Sequence, residues 1–155
     1  MKRQTVCGIL AVIAATGIAP AQEFGTFEQA KAMLQRAASE VEADKQRAFA
    51  SFNANDPRFR DRDLFVFCFG ADGKFSAHEA LVSKDVRELS DKRGTRYGEA
   101  MFRAATAKQI TEVSYLAPFP GTTSQVPKKA FVLRIGEHVC GVSAYVYNGP
   151  GTPIE

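Results

Sequence analysis

The sequence predicts an α+β fold in which a five-stranded antiparallel sheet carries one long N-terminal helix packed across one face. Three observations lead to this prediction. The chain has 155 residues, of which 45% are hydrophobic and 24% charged, and this is the size and composition of one globular domain. Apolar residues recur with helical spacing over residues 26 to 54. The rest of the chain contains five runs rich in strand-forming residues, and each strand can bury one face against that helix.

Residues 1 to 21 are predicted to form a secretory signal peptide ahead of the domain, which occupies residues 22 to 155. Lys2 and Arg3 precede an uncharged run that ends in small residues, so we expect cleavage before Gln22. The run is shorter than the roughly 20 apolar residues of a membrane-spanning helix, which disfavours a retained anchor. We therefore expect a periplasmic or secreted protein with no membrane insertion after cleavage.

The mature domain is expected to carry almost no net charge. The whole chain has 20 Lys and Arg and 17 Asp and Glu, a formal charge of +3, and loss of Lys2 and Arg3 with the signal peptide leaves +1. Basic and acidic residues are interspersed along the rest of the sequence, whereas a nucleic-acid-binding protein concentrates its basic residues in one stripe. Nucleic acid is therefore not an expected partner.

The long helix is predicted over residues 26 to 54. Thr26 and Gln29 have the spacing of a capping box at the start of the helix. The helix is expected to end before Pro57, because the residue before a proline avoids helical geometry. The apolar stripe expected to face the sheet comprises Phe27, Ala30, Leu34, Ala37, Val41, Ala48 and Phe52.

Five strands are predicted after the helix. The first two are joined by a turn at residues 70 to 73, and the last two are separated by Gly136 and Glu137, so each pair should form a hairpin. A long excursion with a short helix lies between the second and third strands, and such excursions are usually functional or flexible. The strands are predicted at residues 64–69, 74–78, 109–116, 129–135 and 138–147, and the short helix at residues 96–107.

Cys68 and Cys140 are the cysteines that remain after removal of the signal peptide, in a chain expected to enter an oxidising compartment. Strand alternation places each of them on an aliphatic face suited to the helix side of the sheet. If their strands are neighbours, a disulfide can form and is worth about 4 kcal/mol in the chain-entropy model. The alternative is two buried free thiols.

No pattern for catalysis or metal binding is recognisable. His78 and His138 have no Cys or carboxylate nearby at zinc-ligand spacing, and the carboxylates of the connectors lie among Lys and Arg, as solvated charges do. The G-x-S-x-G, H-E-x-x-H and P-loop patterns are missing from the sequence. We expect no enzymatic activity, no metal and no cofactor.

The segment from Tyr115 to Lys128 is the best candidate for a binding function. A lysine fixed after Pro127 at the mouth of a sheet, near a tyrosine hydroxyl on the adjacent strand, can hold a small anion. From these residues alone, an ordinary solvated hairpin is the favoured alternative.

Several motifs occur in the following order along the chain: Asp63-Leu64-Phe65-Val66-Phe67, Asp72-Gly73, Ala77-His78, Lys84-Asp85-Val86, Asp91 with Gly94, Val113-Ser114-Tyr115, Pro127-Lys128, and Gly141 with Tyr145. In this order they resemble the single Cache domain, and the resemblance covers about residues 26 to 147. Cache domains are PAS-like, extracytoplasmic ligand-sensing modules of bacterial chemoreceptors and sensor kinases.

The resemblance implies a PAS-like five-stranded sheet with a small-molecule pocket on the face opposite the long helix. It makes the first and last strands neighbours, which brings Cys68 beside Cys140 and favours the disulfide. Members of the family often bind small metabolites, including short-chain carboxylates, without catalysis. The implied ligand contacts are His78, Tyr115 and Lys128, with Phe67, Met101, Phe131 and Tyr145 as lining residues.

The expected function is therefore that of a stand-alone sensory domain that binds a small metabolite. An alternative is an accessory protein that docks on a membrane sensor or transporter without a ligand of its own. Its docking surface would be the loop at residues 118 to 127 or the excursion at residues 85 to 96.

Overall fold

The computed structural model describes residues 24 to 146, so the predicted signal peptide lies outside the described residues. Residues 24 to 146 form three α-helices and six strands. The helices are α1 (Phe27–Ala43), α2 (Lys45–Asn53) and α3 (Tyr97–Ala104), and the strands are β1 (Arg60–Asp61), β2 (Leu64–Phe69), β3 (Phe75–Ala77), β4 (Thr111–Pro118), β5 (Gln125–Ile135) and β6 (His138–Tyr145).

The N-terminal helical segment begins as predicted but is interrupted once. Thr26 and Gln29 form both hydrogen bonds of the capping box. The prediction of one unbroken helix is wrong at Asp44, which adopts an extended conformation with φ −157° and ψ 96°. Its carboxylate accepts a hydrogen bond from the backbone N–H of Arg47 at 3.0 Å and so caps α2. The apolar stripe continues across the break, because Ala48 and Phe52 are also buried.

The strands form one antiparallel sheet with the order β1-β2-β6-β5-β4, and β3 pairs with β2. The α+β prediction is confirmed, and the five expected strands are all present. The sixth strand, β1, is a two-residue pairing of Arg60 and Asp61 with the start of β2. This strand was not predicted, because a charged connector lacks the apolar alternation of a strand.

The face of the sheet that packs against α1 and α2 holds the larger core. Ala30 and Ala37 of α1 are fully buried, so the helix approaches the sheet closely. Cys68 and Cys140 are direct partners in the pairing of β2 with β6, and they form the predicted disulfide with an S–S distance of 2.07 Å. Both cysteines belong to this core, as strand alternation predicts.

The opposite face of the sheet is covered by α3 and the chain around it. Met101 of α3 is buried against a second apolar cluster that includes Phe67 and Phe69. Gly98 allows this packing, since a Cβ atom there would lie 1.7 Å from the carbonyl oxygen of Val86. The cover is incomplete, and the space left beneath it is the candidate site.

Candidate ligand-binding site

A cavity of about 70 Å³ lies on the face of the sheet that is turned away from α1. Strands β2, β4 and β6 form its floor, and α3 with the preceding excursion forms its cover. The space is large enough for a few water molecules or a small compact solute. Its lining residues are Phe67, Phe75, His78, Leu81, Leu89, Tyr97, Met101, Tyr115 and Ser143.

The floor depends on a glycine at position 141 of β6. A Cβ atom at this position would lie 2.4 Å from Cζ of Phe67, far inside normal contact distance. Gly141 therefore lets the tip of the Phe67 ring lie directly against β6, where a larger residue would displace it.

His78 lines the cavity and has a defined tautomer. Its Nδ1 accepts hydrogen bonds from the backbone N–H groups of Ala80 at 3.0 Å and Leu81 at 3.2 Å. Burial lowers the pKa of His78 to about 4, so the ring is neutral at physiological pH and carries its proton on Nε2. The neighbouring rings of Phe65 and Phe75, with centroids 5.2 and 4.8 Å away, hold the imidazole in place. His78 thus supplies an N–H donor and no positive charge.

Two stacked tyrosines form one side of the cavity. The rings of Tyr97 and Tyr115 are nearly parallel, with centroids 4.2 Å apart. Burial raises the pKa of the Tyr115 hydroxyl, although hydrogen bonding with Ser143 acts in the opposite direction. Burial also raises the pKa of Tyr97. Both phenols therefore remain protonated and can donate hydrogen bonds to a bound acceptor.

Lys128 lies next to this side of the cavity. It pairs directly with Tyr115 of β4 and with Tyr145 of β6, so the three side chains form a row on one face of the sheet. Lys128 is only 8% exposed, and its Nζ lies 4.2 Å from the ring centroid of Tyr145. Among residues 24 to 146 its ammonium group forms no ion pair, and burial lowers its pKa.

Asp63 lies in the turn between β1 and β2, directly before Leu64, and its charge interacts with that of Lys128. The Oδ1 atom of Asp63 accepts a hydrogen bond from the backbone N–H of Gly25 at 2.6 Å. Its Oδ2 atom is buried and has no hydrogen-bond partner in the described part of the chain. Burial raises the pKa of this carboxyl group.

Four of the seven predicted contact and lining residues line the cavity, namely Phe67, His78, Met101 and Tyr115. Lys128 and Tyr145 are on the same face but in the adjoining row, and the Tyr145 hydroxyl donates to the carbonyl oxygen of Pro118 at 2.7 Å. The assignment of Phe131 requires correction. Its neighbours Ala130 and Val132 face the cavity side, so Phe131 points to the helix side, where its ring packs against Phe27.

Several residues of the site were not predicted from the sequence. Ser143 lies on the same face of its strand as Gly141 and Tyr145, so strand alternation could have predicted that it lines the cavity. Tyr97 lies in the predicted short helix but was not predicted as a ligand contact. Asp63 belongs to the first motif of the resemblance, but its position in a charged connector did not indicate a buried carboxylate.

Within residues 24 to 146, no three His, Cys, Asp and Glu side chains lie close enough together to hold a metal ion. None of the described helices has the length and apolar character needed to cross a bilayer.

Comparison with known proteins identifies the fold. No protein-family model and no curated protein matches the sequence. Solved structures do match, each over 77% of this chain. A methyl-accepting chemotaxis protein from Vibrio parahaemolyticus aligns with a TM-score of 0.59, 17% identity and 86% of its chain covered. A periplasmic sensor domain of a chemotaxis protein aligns with a TM-score of 0.58, 22% identity and 90% covered.

A third matching structure concerns carboxylic acid recognition by a Cache chemosensory domain. It aligns with a TM-score of 0.56 and 18% identity, and 88% of its chain is covered. The protein therefore has the Cache fold of periplasmic sensor domains, which confirms the resemblance of the sequence at the level of the fold.

Proposed function

We propose that this protein is a periplasmic or secreted sensory domain that binds a short-chain carboxylate and catalyses no reaction. The likeness to sensor domains supports a role in small-molecule sensing, and one of those domains recognises carboxylic acids. The chemistry of the cavity supports the same ligand class independently.

The observation that carries the proposal is the buried ammonium group of Lys128 beside a cavity edged with hydrogen-bond donors. Tyr115 lines the cavity and is the direct strand partner of Lys128, so an anion next to the tyrosine hydroxyl is also near the ammonium group. His78 adds an N–H donor, and Ser143 hydrogen-bonds with the Tyr115 hydroxyl. A carboxylate has four lone-pair sites and can accept from all of these groups.

The size and lining of the cavity restrict the ligand to a small one. About 70 Å³ accommodates a carboxylate with a short carbon chain, and Phe67, Leu81 and Met101 offer an apolar surface for that chain. The apolar surroundings also strengthen each charged interaction, because the local dielectric constant is lower than that of water. A neutral solute would bring no negative charge to the Lys128 ammonium group.

Binding can be tested by thermal shift and calorimetry with formate, acetate, propionate, pyruvate and L-lactate. A ligand at about 100 times its Kd should stabilise the protein by about 2.7 kcal/mol. Lys128→Met should weaken binding by about 10- to 100-fold, since a hydrogen bond to a charged group is worth roughly 1.5 to 3 kcal/mol. Tyr115→Phe should weaken it by about 2- to 10-fold.

The matched control is Lys92→Met, which removes one positive charge from an exposed lysine in the connector before α3. This variant should bind like the unmodified protein. If no carboxylate raises the melting temperature of the folded protein, or if Lys92→Met and Lys128→Met weaken binding equally, the proposed function is wrong.

A further inference from the structure

Asp63 and Lys128 are two oppositely charged, largely buried side chains that do not form an ion pair. Asp63 uses its Oδ1 atom for the backbone N–H of Gly25, whereas its buried Oδ2 atom has no partner between residues 24 and 146. A buried carboxylate oxygen without a hydrogen bond is costly, and protonation removes part of that cost. The carboxyl group of Asp63 is therefore well placed to change its charge.

The two groups already influence each other electrostatically. The carboxylate of Asp63 is the largest charge contribution that raises the pKa of Lys128, followed by that of Glu79. In return, Lys128 and the adjacent Arg62 favour the ionised form of Asp63, although burial outweighs them and leaves its pKa above the usual value. Asp63 therefore provides the main negative charge that compensates Lys128 in the ligand-free protein.

We propose that Asp63 is the resident counter-charge of Lys128, and that a carboxylate binding beside Lys128 is taken up together with one proton, which goes to Oδ2 of Asp63. This inference rests on the proposed function. The bound anion neutralises Lys128 and repels Asp63, so both effects disfavour the ionised aspartate. The net reaction consumes one ligand anion and one solvent proton, and the total charge of the site is unchanged.

The other titratable groups around the row do not supply this proton between pH 5 and 7.5. His78 is neutral there, because its pKa is about 4. The pKa values of Tyr115 and Tyr145 are raised above that of an ordinary tyrosine, Tyr145 to about 12. Glu79 is exposed and paired with Arg60 at 2.6 Å. Proton uptake in this range that disappears in Asp63→Asn therefore reports on Asp63.

Linkage fixes the expected pH dependence. In the interval between the pKa of Asp63 in the free protein and its higher pKa in the complex, affinity for a carboxylate should rise by up to about tenfold for each unit by which the pH falls. Above and below that interval the affinity should be independent of the Asp63 proton.

The test uses pyruvate, whose carboxyl group stays ionised throughout this range. Titration calorimetry from pH 5 to 7.5, in buffers with different ionisation enthalpies, gives the number of protons taken up per pyruvate bound. Asp63→Asn keeps an oxygen for the Gly25 hydrogen bond but removes the charge. It should abolish proton uptake and bind pyruvate more tightly at pH 7.5 than the unmodified protein does. Asp61→Asn, an exposed carboxylate nearby, is the control for net charge and should leave proton uptake unchanged.

A second measurement does not depend on the variant folding well. The carboxyl ¹³C resonance of Asp63 in the unmodified protein should titrate at a higher pH when pyruvate is bound than when it is absent. Pyruvate binding with no proton uptake and an unshifted resonance would overturn this inference and leave the proposed function intact. If pyruvate fails to bind at any pH, the proposed function is contradicted for this ligand, and the inference falls with it.

Discussion

Substitution of Gly141 by alanine should close the cavity from its floor. The added Cβ would lie 2.4 Å from Cζ and 2.8 Å from Cε2 of Phe67, and 2.9 Å from the carbonyl oxygen of Phe131. The carbonyl belongs to the neighbouring strand and is held in the sheet, whereas the phenylalanine ring has free space above it. We therefore expect the ring of Phe67 to move into the cavity.

The size of the displacement follows from the contact distances. To reach an ordinary separation of 3.4 Å from the new methyl group, the ring must shift by about 1 Å at its tip. Overpacking of this kind typically costs 1 to 3 kcal/mol of folding free energy. In a cavity of only about 70 Å³, the same shift removes much of the space available to a ligand.

The assay combines urea unfolding with carboxylate binding. Gly141→Ala should lower the free energy of unfolding by about 1 to 3 kcal/mol and weaken binding at least tenfold. Val142→Ala is the control, because Val142 is buried on the helix side and its truncation should cost about 2 kcal/mol without filling the cavity. Wild-type affinity in Gly141→Ala, or an equal loss of affinity in Val142→Ala, would refute the role of the glycine as the floor of the site.

Two further predictions concern stability. The Cys68–Cys140 disulfide closes a loop with a sequence separation of 72, so its reduction should lower the free energy of unfolding by about 4 kcal/mol. Urea unfolding with and without reductant measures this difference. A loss below about 1 kcal/mol would contradict the prediction. Because the pKa of His78 falls from 6.5 to about 4 on folding, the unfolded state binds the proton first as the pH drops, and stability should decrease between pH 6.5 and 4 by an amount on the order of 2 kcal/mol. His78→Gln should show a smaller decrease in pH-dependent unfolding experiments, and an unchanged profile would contradict the assignment.

Much of the candidate site was accessible from the sequence because a strand has a strict period of two. That period placed Cys68 and Cys140 on the helix side, and the motif order supplied Phe67, His78, Met101 and Tyr115, all of which line the cavity. Phe131 shows where a resemblance alone fails. An aromatic residue suits a pocket, but the alternation of side chains along β5 places Phe131 on the helix side of the sheet.

Other features arise from contacts between segments far apart in the chain. The side chain that a Cβ atom at Gly141 would meet is that of Phe67, on another strand, and the pKa of Asp63 is raised because the folded chain buries its carboxyl group. The break at Asp44 is a local competition that periodicity cannot detect, since the apolar stripe is continuous across it.

The sequence by itself determined the α+β class, the helix and strand locations and the two faces of each strand, because these follow from local propensity and from periodic burial of apolar residues. The tertiary structure decided the strand order, the existence and volume of the cavity, the tautomer of His78 and the burial of Lys128 near Asp63. These properties depend on distances between residues separated by tens of positions, and such distances exist only after the sheet has assembled and water has been excluded from one of its faces.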